Sequence, residues 1–274
     1  LNTLFCSAIF LPLILLSQYT HVLDSSIFHV GTGGWEMHRW IILKSVIVLL
    51  SWVFGYFAIA QLPLTIVGPI NATRPVMTLV GAMLVFGERL NTWQWIGVSL
   101  AIISLFLLAR SGKREGIDFK HNKWIFFLVL AAMMGTCSGL LDKYLMASPE
   151  NGGVGLDRMM AQSWYNIYQC IMMGVVLLVY IFNQRKKAER TAHFSWKWSI
   201  LLISIFLSMA DFAYFYTLSL PGALISIVSM VRRGSVLVSF LCGALLFREK
   251  NLKAKAIDLC FVLLGMIFLW IGSR

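Results

Sequence analysis

The chain has 274 residues, of which 59% are hydrophobic and only 13% are charged. Soluble domains carry roughly 25% charged and 45–50% apolar residues, which excludes an ordinary water-soluble fold. The net charge of +11 does not indicate nucleic-acid binding, because most of the 23 Lys and Arg residues lie in short segments between long apolar runs.

Nine apolar runs predict membrane-spanning helices, because about 20 apolar residues suffice to cross a ~30 Å hydrocarbon core. In chain order the predicted spans are 1–17, 40–60, 64–87, 92–109, 124–147, 160–183, 198–218, 222–247 and 255–272. The one long connection with little charge, 18–39, follows the first span. The sequence therefore predicts an all-α, polytopic helical membrane protein.

An internal repeat relates the two halves of the chain. Residues 56–63 read YFAIAQLP and residues 214–221 read YFYTLSLP, and at the same offset Arg74 falls on Arg232. A Tyr-Phe pair, a Leu-Pro and an arginine in the same order favour a repeat over chance similarity between apolar helices.

The repeat predicts two copies, 1–109 with four spans and 124–274 with five, joined by a basic loop at 110–123. We expect one helix before residue 1 to complete the first copy, for ten spans in all. Copies with an odd number of helices enter the membrane from opposite sides. The prediction is thus a bundle of two inverted five-helix repeats, an architecture of secondary transporters.

Basic residues predict the orientation. The loops 110–123, 185–197 and 248–255 hold 14 of them and are expected to be cytoplasmic by the positive-inside tendency. The opposite side is assigned six basic residues: Arg39, Lys44, Arg89, Lys143, Arg158 and Arg274.

A family resemblance rests on the segment Phe86-Gly87-Glu88-Arg89-Leu90, followed by Trp95-Ile96-Gly97. This segment resembles the EamA-type signature of the drug/metabolite transporter superfamily. Its second copy is Phe247-Arg248-Glu249-Lys250 and then Ile257-Asp258, where Arg248 and Asp258 replace expected glycines. The family's usual arrangement puts both termini in the cytoplasm, whereas the charge bias places the C-terminus outside. The resemblance implies a transporter in a bacterial inner membrane.

Three arginines, Arg74, Arg232 and Arg233, stand inside predicted spans. A charge at the bilayer centre costs roughly 2.5–3.5 kcal/mol, so such residues usually face a partner or a watery cavity. One interpretation is that they bind an anionic substrate group. The other is an internal ion pair, most plausibly with Asp211, and a pair broken by substrate would combine the two.

Prolines interrupt the third span, with Pro63 at its start and Pro75 further along. Either they break the helix so that its freed amides face the substrate, with Asn71 alongside, or they produce a packing kink. Pro221 repeats Pro63 in the second copy. Glu88 and Glu249 sit at span ends, where a structural role is expected.

An aromatic and amide-rich cluster predicts the binding pocket. We expect Tyr165, Asn166 and Gln169 to line it, joined by Tyr214 from a neighbouring span. For the remaining polar pair, Asp142 and Lys143, the sequence allows two interpretations, a local ion pair or a gate. Membrane-interface anchoring is expected instead for six tryptophans: Trp35, Trp40, Trp93, Trp95, Trp196 and Trp198.

Together these features predict a secondary transporter of a small polar metabolite, an amino acid or an organic anion, working by alternating access, with export as one direction. No enzyme activity, metal, cofactor or nucleic-acid partner is expected. The cysteines lack metal-ligand spacing and no Walker motif occurs. The partners expected are a small-molecule substrate and membrane lipid, and monomer and homodimer both stay open. The rival functions are an intramembrane lipid or prenyl transferase and a non-transporting sensor or assembly subunit.

Overall fold

The computed structural model is built of helices. It describes residues 1–62, 67, 70–71, 73–87, 91–100, 102–103, 122–186, 198–220, 225, 228, 232 and 252–272, and within these ranges no strand occurs. The helices are α1 (Asn2–Tyr19), α2 (Trp35–Ile59), α3 (Arg74–Phe86), α4 (Lys123–Met146), α5 (Arg158–Lys186), α6 (Trp198–Leu218) and α7 (Leu252–Ile271), with a 3₁₀ turn at Pro149–Asn151. Residues 92–100 are also helical.

Five helices are long and apolar enough to cross a membrane: Asn2–Tyr19, Trp35–Ile59, Lys123–Met146, Arg158–Phe182 and Trp198–Leu218. At 1.5 Å per residue, even the 18 residues of α1 extend about 27 Å. The second half of α5 has an exposed apolar surface, because Val175, Leu178 and Phe182 are all more than half exposed. Such a continuous apolar surface fits lipid and not water.

The described helices agree with the predicted spans to within a few residues, except in the third span. There α3 begins only at Arg74, after Thr73 as a turn residue, although Val67, Ile70 and Asn71 are helical. Pro75 is the second residue of α3, a position where its missing N–H breaks no intrahelical bond. Arg74 therefore stands at the first position of α3, inside the predicted third span.

The chain divides into two compact units. Unit 1 comprises residues 1–49 and 142–221, and unit 2 comprises residues 50–141 and 222–274. Each unit therefore takes residues from both halves of the chain.

Unit 1 is organised around α1, which packs against α5 and α6, while α5 and α6 also pack against each other. The Ser7 hydroxyl on α1 donates a hydrogen bond of 2.8 Å to the carbonyl oxygen of Asn166 on α5. The short loop before α5 folds back on the end of α4, with backbone bonds from Gly155 to Ala147 and from Leu156 to Leu145, both 2.7 Å. These bonds hold the end of α4 beside the start of α5.

A carboxylate caps the start of α5. Asp157 Oδ2 accepts a 2.7 Å hydrogen bond from the amide of Met160 and a 3.4 Å bond from the amide of Gly31. An acidic cap satisfies amides that have no partner in the first turn. It also ties the connection between α1 and α2 to α5.

Unit 2 has an apolar core that contains Ala58, Leu62, Val67, Ile70, Ile125 and Leu128. On α2 the Ser51 hydroxyl donates a 2.8 Å hydrogen bond to the carbonyl oxygen of Ala131 on α4, and the rings of Phe54 and Phe127 stack at 5.7 Å. These contacts fix α2 against α4 within unit 2.

Candidate functional site

A buried ion pair lies in unit 1. Lys44 Nζ on α2 is 2.6 Å from Asp142 Oδ1 on α4, and the two residues are only 3% and 4% exposed. Taking two charges out of water is costly, and their mutual attraction offsets that cost only at close range and with further contacts around them. Asp142 is therefore paired with Lys44, a residue of another helix.

Aromatic rings enclose the Lys44 ammonium. Its Nζ atom lies 4.0 Å from the ring centroid of Phe215 on α6 and 4.6 Å from that of Tyr165 on α5. The negative face of an aromatic ring attracts a cation, most strongly where water is excluded. Three helices, α4, α5 and α6, therefore supply the groups around this one charge on α2.

The second oxygen of the carboxylate is held by a tyrosine. Tyr214 on α6 donates a 3.2 Å hydrogen bond to Asp142 Oδ2. Tyr214 and Tyr165 are each 9% exposed. The structure thus brings three of the predicted site residues, Tyr165, Tyr214 and Asp142, to one place.

The face of α5 next to this pair is polar and buried. Gln169 Nε2 donates a 2.9 Å hydrogen bond to the carbonyl oxygen of Ser45, the residue after Lys44, and Gln162 Nε2 donates a 3.0 Å bond to the carbonyl oxygen of Ser208. The side-chain amide of Asn166 is used within α5, where its Nδ2 atom donates a 2.9 Å hydrogen bond to the carbonyl oxygen of Gln162.

Several oxygen atoms on this face lack hydrogen-bond partners among the described residues. They are Gln162 Oε1, Gln169 Oε1 and Ser163 Oγ, on side chains that are 1%, 1% and 0% exposed. Buried polar atoms are nearly always satisfied, so each acceptor here is a place for a donor from water or a ligand.

Lys44 is absent from the site residues that the sequence predicts. The charge tally counts it among the basic residues on the side opposite the cytoplasmic loops, whereas it lies within α2 and is buried. Arg39, by contrast, is exposed near the start of α2 and pairs with Glu36. One signal was available, since Lys44 interrupts an otherwise apolar run from Trp40 to Ile59.

Arg74 lies in unit 2 with few polar contacts. Its Nη2 atom donates a 3.5 Å bond to the carbonyl oxygen of Ala131, and its buried Nε atom has no hydrogen-bond partner among the described residues. Arg232, in the same unit, is close enough for the two like charges to repel each other. Asn71 is half-buried, and its Oδ1 atom also lacks a partner. The repeat-related arginines are therefore neighbours.

The remaining predicted residues are less informative. Asp211 lies in unit 1, half-exposed on α6, and Lys143 is half-exposed in the last turn of α4. The following lie outside the described residues: Arg233, Pro63, Pro221, Glu88 and Glu249.

The helices and the buried charges define a class: a polytopic α-helical membrane protein with ionisable groups inside its spans, as membrane transporters have. Residues 1–110 match the family model of the EamA-like transporter family, which belongs to the drug/metabolite transporter superfamily. The resemblance inferred from sequence is confirmed over those residues. No curated protein matches the chain. The family match and the apolar helices together support a membrane transporter of the drug/metabolite type.

Proposed function

We propose that the chain is a secondary transporter that moves a small polar metabolite, of the amino-acid or organic-anion class, by alternating access between two inverted five-helix repeats. The observation that carries this proposal is the Lys44–Asp142 pair inside unit 1. Both members lie on helices long enough to span a membrane. Ionisable residues inside such helices are rare, and they mark substrate and ion pathways.

The surroundings of the pair support recognition of a polar substrate. Aromatic rings at Tyr165 and Phe215 supply apolar faces, and the buried amides of Gln162 and Gln169 supply hydrogen-bonding groups. Small-molecule sites combine such apolar walls with a few placed polar groups. The pair then serves as the charged centre that a substrate must engage.

The rival enzymatic function needs clustered carboxylates or a His-Asp pair near one face. The structure contains such a pair, with His21 Nδ1 at 2.8 Å from Asp24 Oδ2, but the His21 side chain is 98% exposed, in the connection between α1 and α2. In the part of the chain that the structure describes, no three His, Cys, Asp or Glu side chains gather into a potential metal site. A sensor or assembly subunit is distinguished by an uptake measurement, because only a transporter moves substrate across a sealed vesicle.

The test is uptake into proteoliposomes across a panel of amino acids, sugars and organic acids. We expect uptake of at least one amino acid or organic acid, and a reduction of about tenfold or more in the charge-neutral double variant Lys44→Gln, Asp142→Asn. The matched control is Arg39→Gln, which removes an exposed charge from the same helix and keeps uptake. Equal uptake by the double variant and the unaltered protein would contradict the proposed site.

The proposal includes the orientation of the chain in the membrane. The basic loops lie on the cytoplasmic side of a bacterial inner membrane. In a cysteine-free background, Gly116→Cys should react only with membrane-permeant thiol reagents in intact cells. Glu150→Cys, in the loop between α4 and α5, should react with impermeant ones. The reverse labelling would show that the chain inserts the other way.

A further inference from the structure

We infer that the Lys44–Asp142 centre recognises a zwitterion, a small molecule that carries one ammonium and one carboxylate, and not a simple anion or cation. This inference rests on the proposed function and narrows its substrate class. The ligand's carboxylate pairs with Lys44 and its ammonium pairs with Asp142, so the ligand enters as the two side chains part.

Charge balance is the first argument. The pair is closed at 2.6 Å and buried, so its members neutralise each other. An anion that bound Lys44 would leave the Asp142 carboxylate buried without a cation, and a cation at Asp142 would leave Lys44 without an anion. A single unpaired buried charge is strongly unfavourable. A zwitterion supplies both missing partners at once and leaves the net charge of the centre at zero.

The contacts of each charged group are the second argument. Besides Asp142, the Lys44 ammonium has two ring contacts, at 4.0 and 4.6 Å. It carries three N–H donors, which suit a carboxylate. Besides Lys44, the Asp142 carboxylate has the hydroxyl of Tyr214 on Oδ2, which leaves Oδ1 as the atom that would accept an incoming ammonium. Each charged group therefore has contacts other than its partner in the pair, so a side chain that turns toward the ligand does not lose all of its contacts.

The unpartnered oxygens are the third argument. An ammonium has three donors, and one carboxylate oxygen satisfies only one of them. Two buried acceptor atoms on α5 have no hydrogen-bond partner among the described residues. Gln169 Oε1 lies about one turn after Tyr165 along the helix, and Gln162 Oε1 lies about one turn before it. Acceptor oxygens in this arrangement favour a ligand rich in N–H or O–H donors. A ligand that is only an anion offers few donors for them.

The test uses matched probes that differ only in charge. For alanine, serine, leucine and phenylalanine, binding of the free amino acid is compared with its N-acetyl derivative, which keeps only the negative charge, and its amide, which keeps only the positive one. Binding to the purified full chain in nanodiscs is measured by scintillation proximity. We expect at least one amino acid to bind about tenfold or more tightly than either of its derivatives, the factor that one lost favourable contact of ordinary strength produces.

Variants then test whether the preference for a zwitterion depends on the Lys44–Asp142 pair. In Lys44→Gln, Asp142→Asn the charges are removed together, so no stranded charge unfolds the protein, and we expect the preference for the zwitterion to vanish. Gln169→Leu removes one acceptor and should weaken amino-acid binding more than N-acetyl derivative binding. Arg39→Gln, the matched control, should bind all probes as the unaltered protein does.

Three results would overturn the inference. They are equal or tighter binding of the N-acetyl derivatives, a zwitterion preference that survives in the double variant, and no binding by any of the probes. The proposed function fails separately, on the uptake assay. If the N-acetyl derivatives bind best and uptake still requires the pair, the transporter stands and only the zwitterion is wrong.

Discussion

Two cationic side chains of this protein, the buried Lys44 and the half-buried Arg74, have opposite surroundings. In unit 1, Lys44 has a carboxylate at 2.6 Å and two ring faces around it. In unit 2, Arg74 has one backbone carbonyl oxygen at 3.5 Å and feels the repulsion of Arg232. Among the described residues Arg74 has no carboxylate within ion-pair distance. The Lys44–Asp142 centre is neutral as it stands, whereas the Arg74 guanidinium contacts an uncharged carbonyl oxygen.

The two cations therefore differ in how well the described residues compensate their charge. An arginine at the first position of α3 also meets the positive end of the helix dipole, which is unfavourable. Its Nε atom is buried and has no hydrogen-bond partner among the described residues, so we expect Arg74 to contribute little to stability. Four substitution experiments test this difference.

The largest effect should come from splitting the pair in unit 1. Lys44→Gln or Asp142→Asn alone leaves a buried charge without its partner, and each should lower the free energy of unfolding by about 3–5 kcal/mol. The double variant should recover most of that loss, because no charge remains. Thermal unfolding in detergent measures both, and single variants as stable as the double one would show that the pair is not buried in the folded protein.

The next effect should appear in transport and not in stability. Arg74→Met should leave the unfolding temperature unchanged or raise it, because it removes the repulsion from Arg232. Arg74→Lys should lower uptake, since lysine lacks the fixed fork of donors that an arginine offers to an anionic group. We expect a double variant, Arg74→Leu with Arg232→Leu, to be inactive. Full uptake by that variant would exclude an anion-binding role for both arginines.

A smaller effect tests how tightly Arg74 is packed. A Cβ atom added at Gly135 would lie 2.8 Å from Arg74 Nη1, whereas one added at Gly55 would meet nothing closer than 3.8 Å. Gly135→Ala should therefore cost about 1 kcal/mol of stability, near the lower end for overpacking because the guanidinium end can shift.

Gly55→Ala is the matched control for the same unit, and it should be neutral or stabilising by up to about 1 kcal/mol because alanine favours the helix. Thermal unfolding of the two variants gives the comparison. Equal stability of the two would mean that the guanidinium moves aside without cost.

The smallest effect tests the hydrogen bond on Asp142. Tyr214→Phe removes only the hydroxyl that donates to Oδ2 and should cost about 0.5–1.5 kcal/mol. Tyr216→Phe, two residues further on α6 and 42% exposed, is the control and should stay within about 0.5 kcal/mol of the unaltered protein. A cost at Tyr216 equal to that at Tyr214 would remove the reason to single out the bond to Asp142.

The internal repeat shows where sequence patterns stop being informative. Tyr56 and Phe57 correspond to Tyr214 and Phe215 at the constant offset. The first two are 72% and 49% exposed, and the second two are 9% and 3% exposed. The same residue types at matching positions therefore have different environments, because burial depends on which neighbours pack against each copy. The inverted repeat itself stays a prediction.

Sequence alone determined the class of this protein and the bounds of its long helices. Apolar length is a local property, so α1, α2, α4, α5 and α6 could be predicted to within a few residues. The aromatic and amide-rich face of α5 was also visible, since Tyr165, Gln169 and their neighbours stand close together in the chain.

Which charged side chains meet depends on the packing of the helices. Lys44 and Asp142 lie on different helices, far apart in the chain, and nothing in the sequence near either residue indicates that they pair. For that reason the sequence led only to a count of Lys44 on one side of the membrane, and to Asp142 only with its neighbour Lys143. A long basic side chain in an apolar helix can adopt several low-energy conformations. The packing of α2, α4, α5 and α6 determines which of them it adopts.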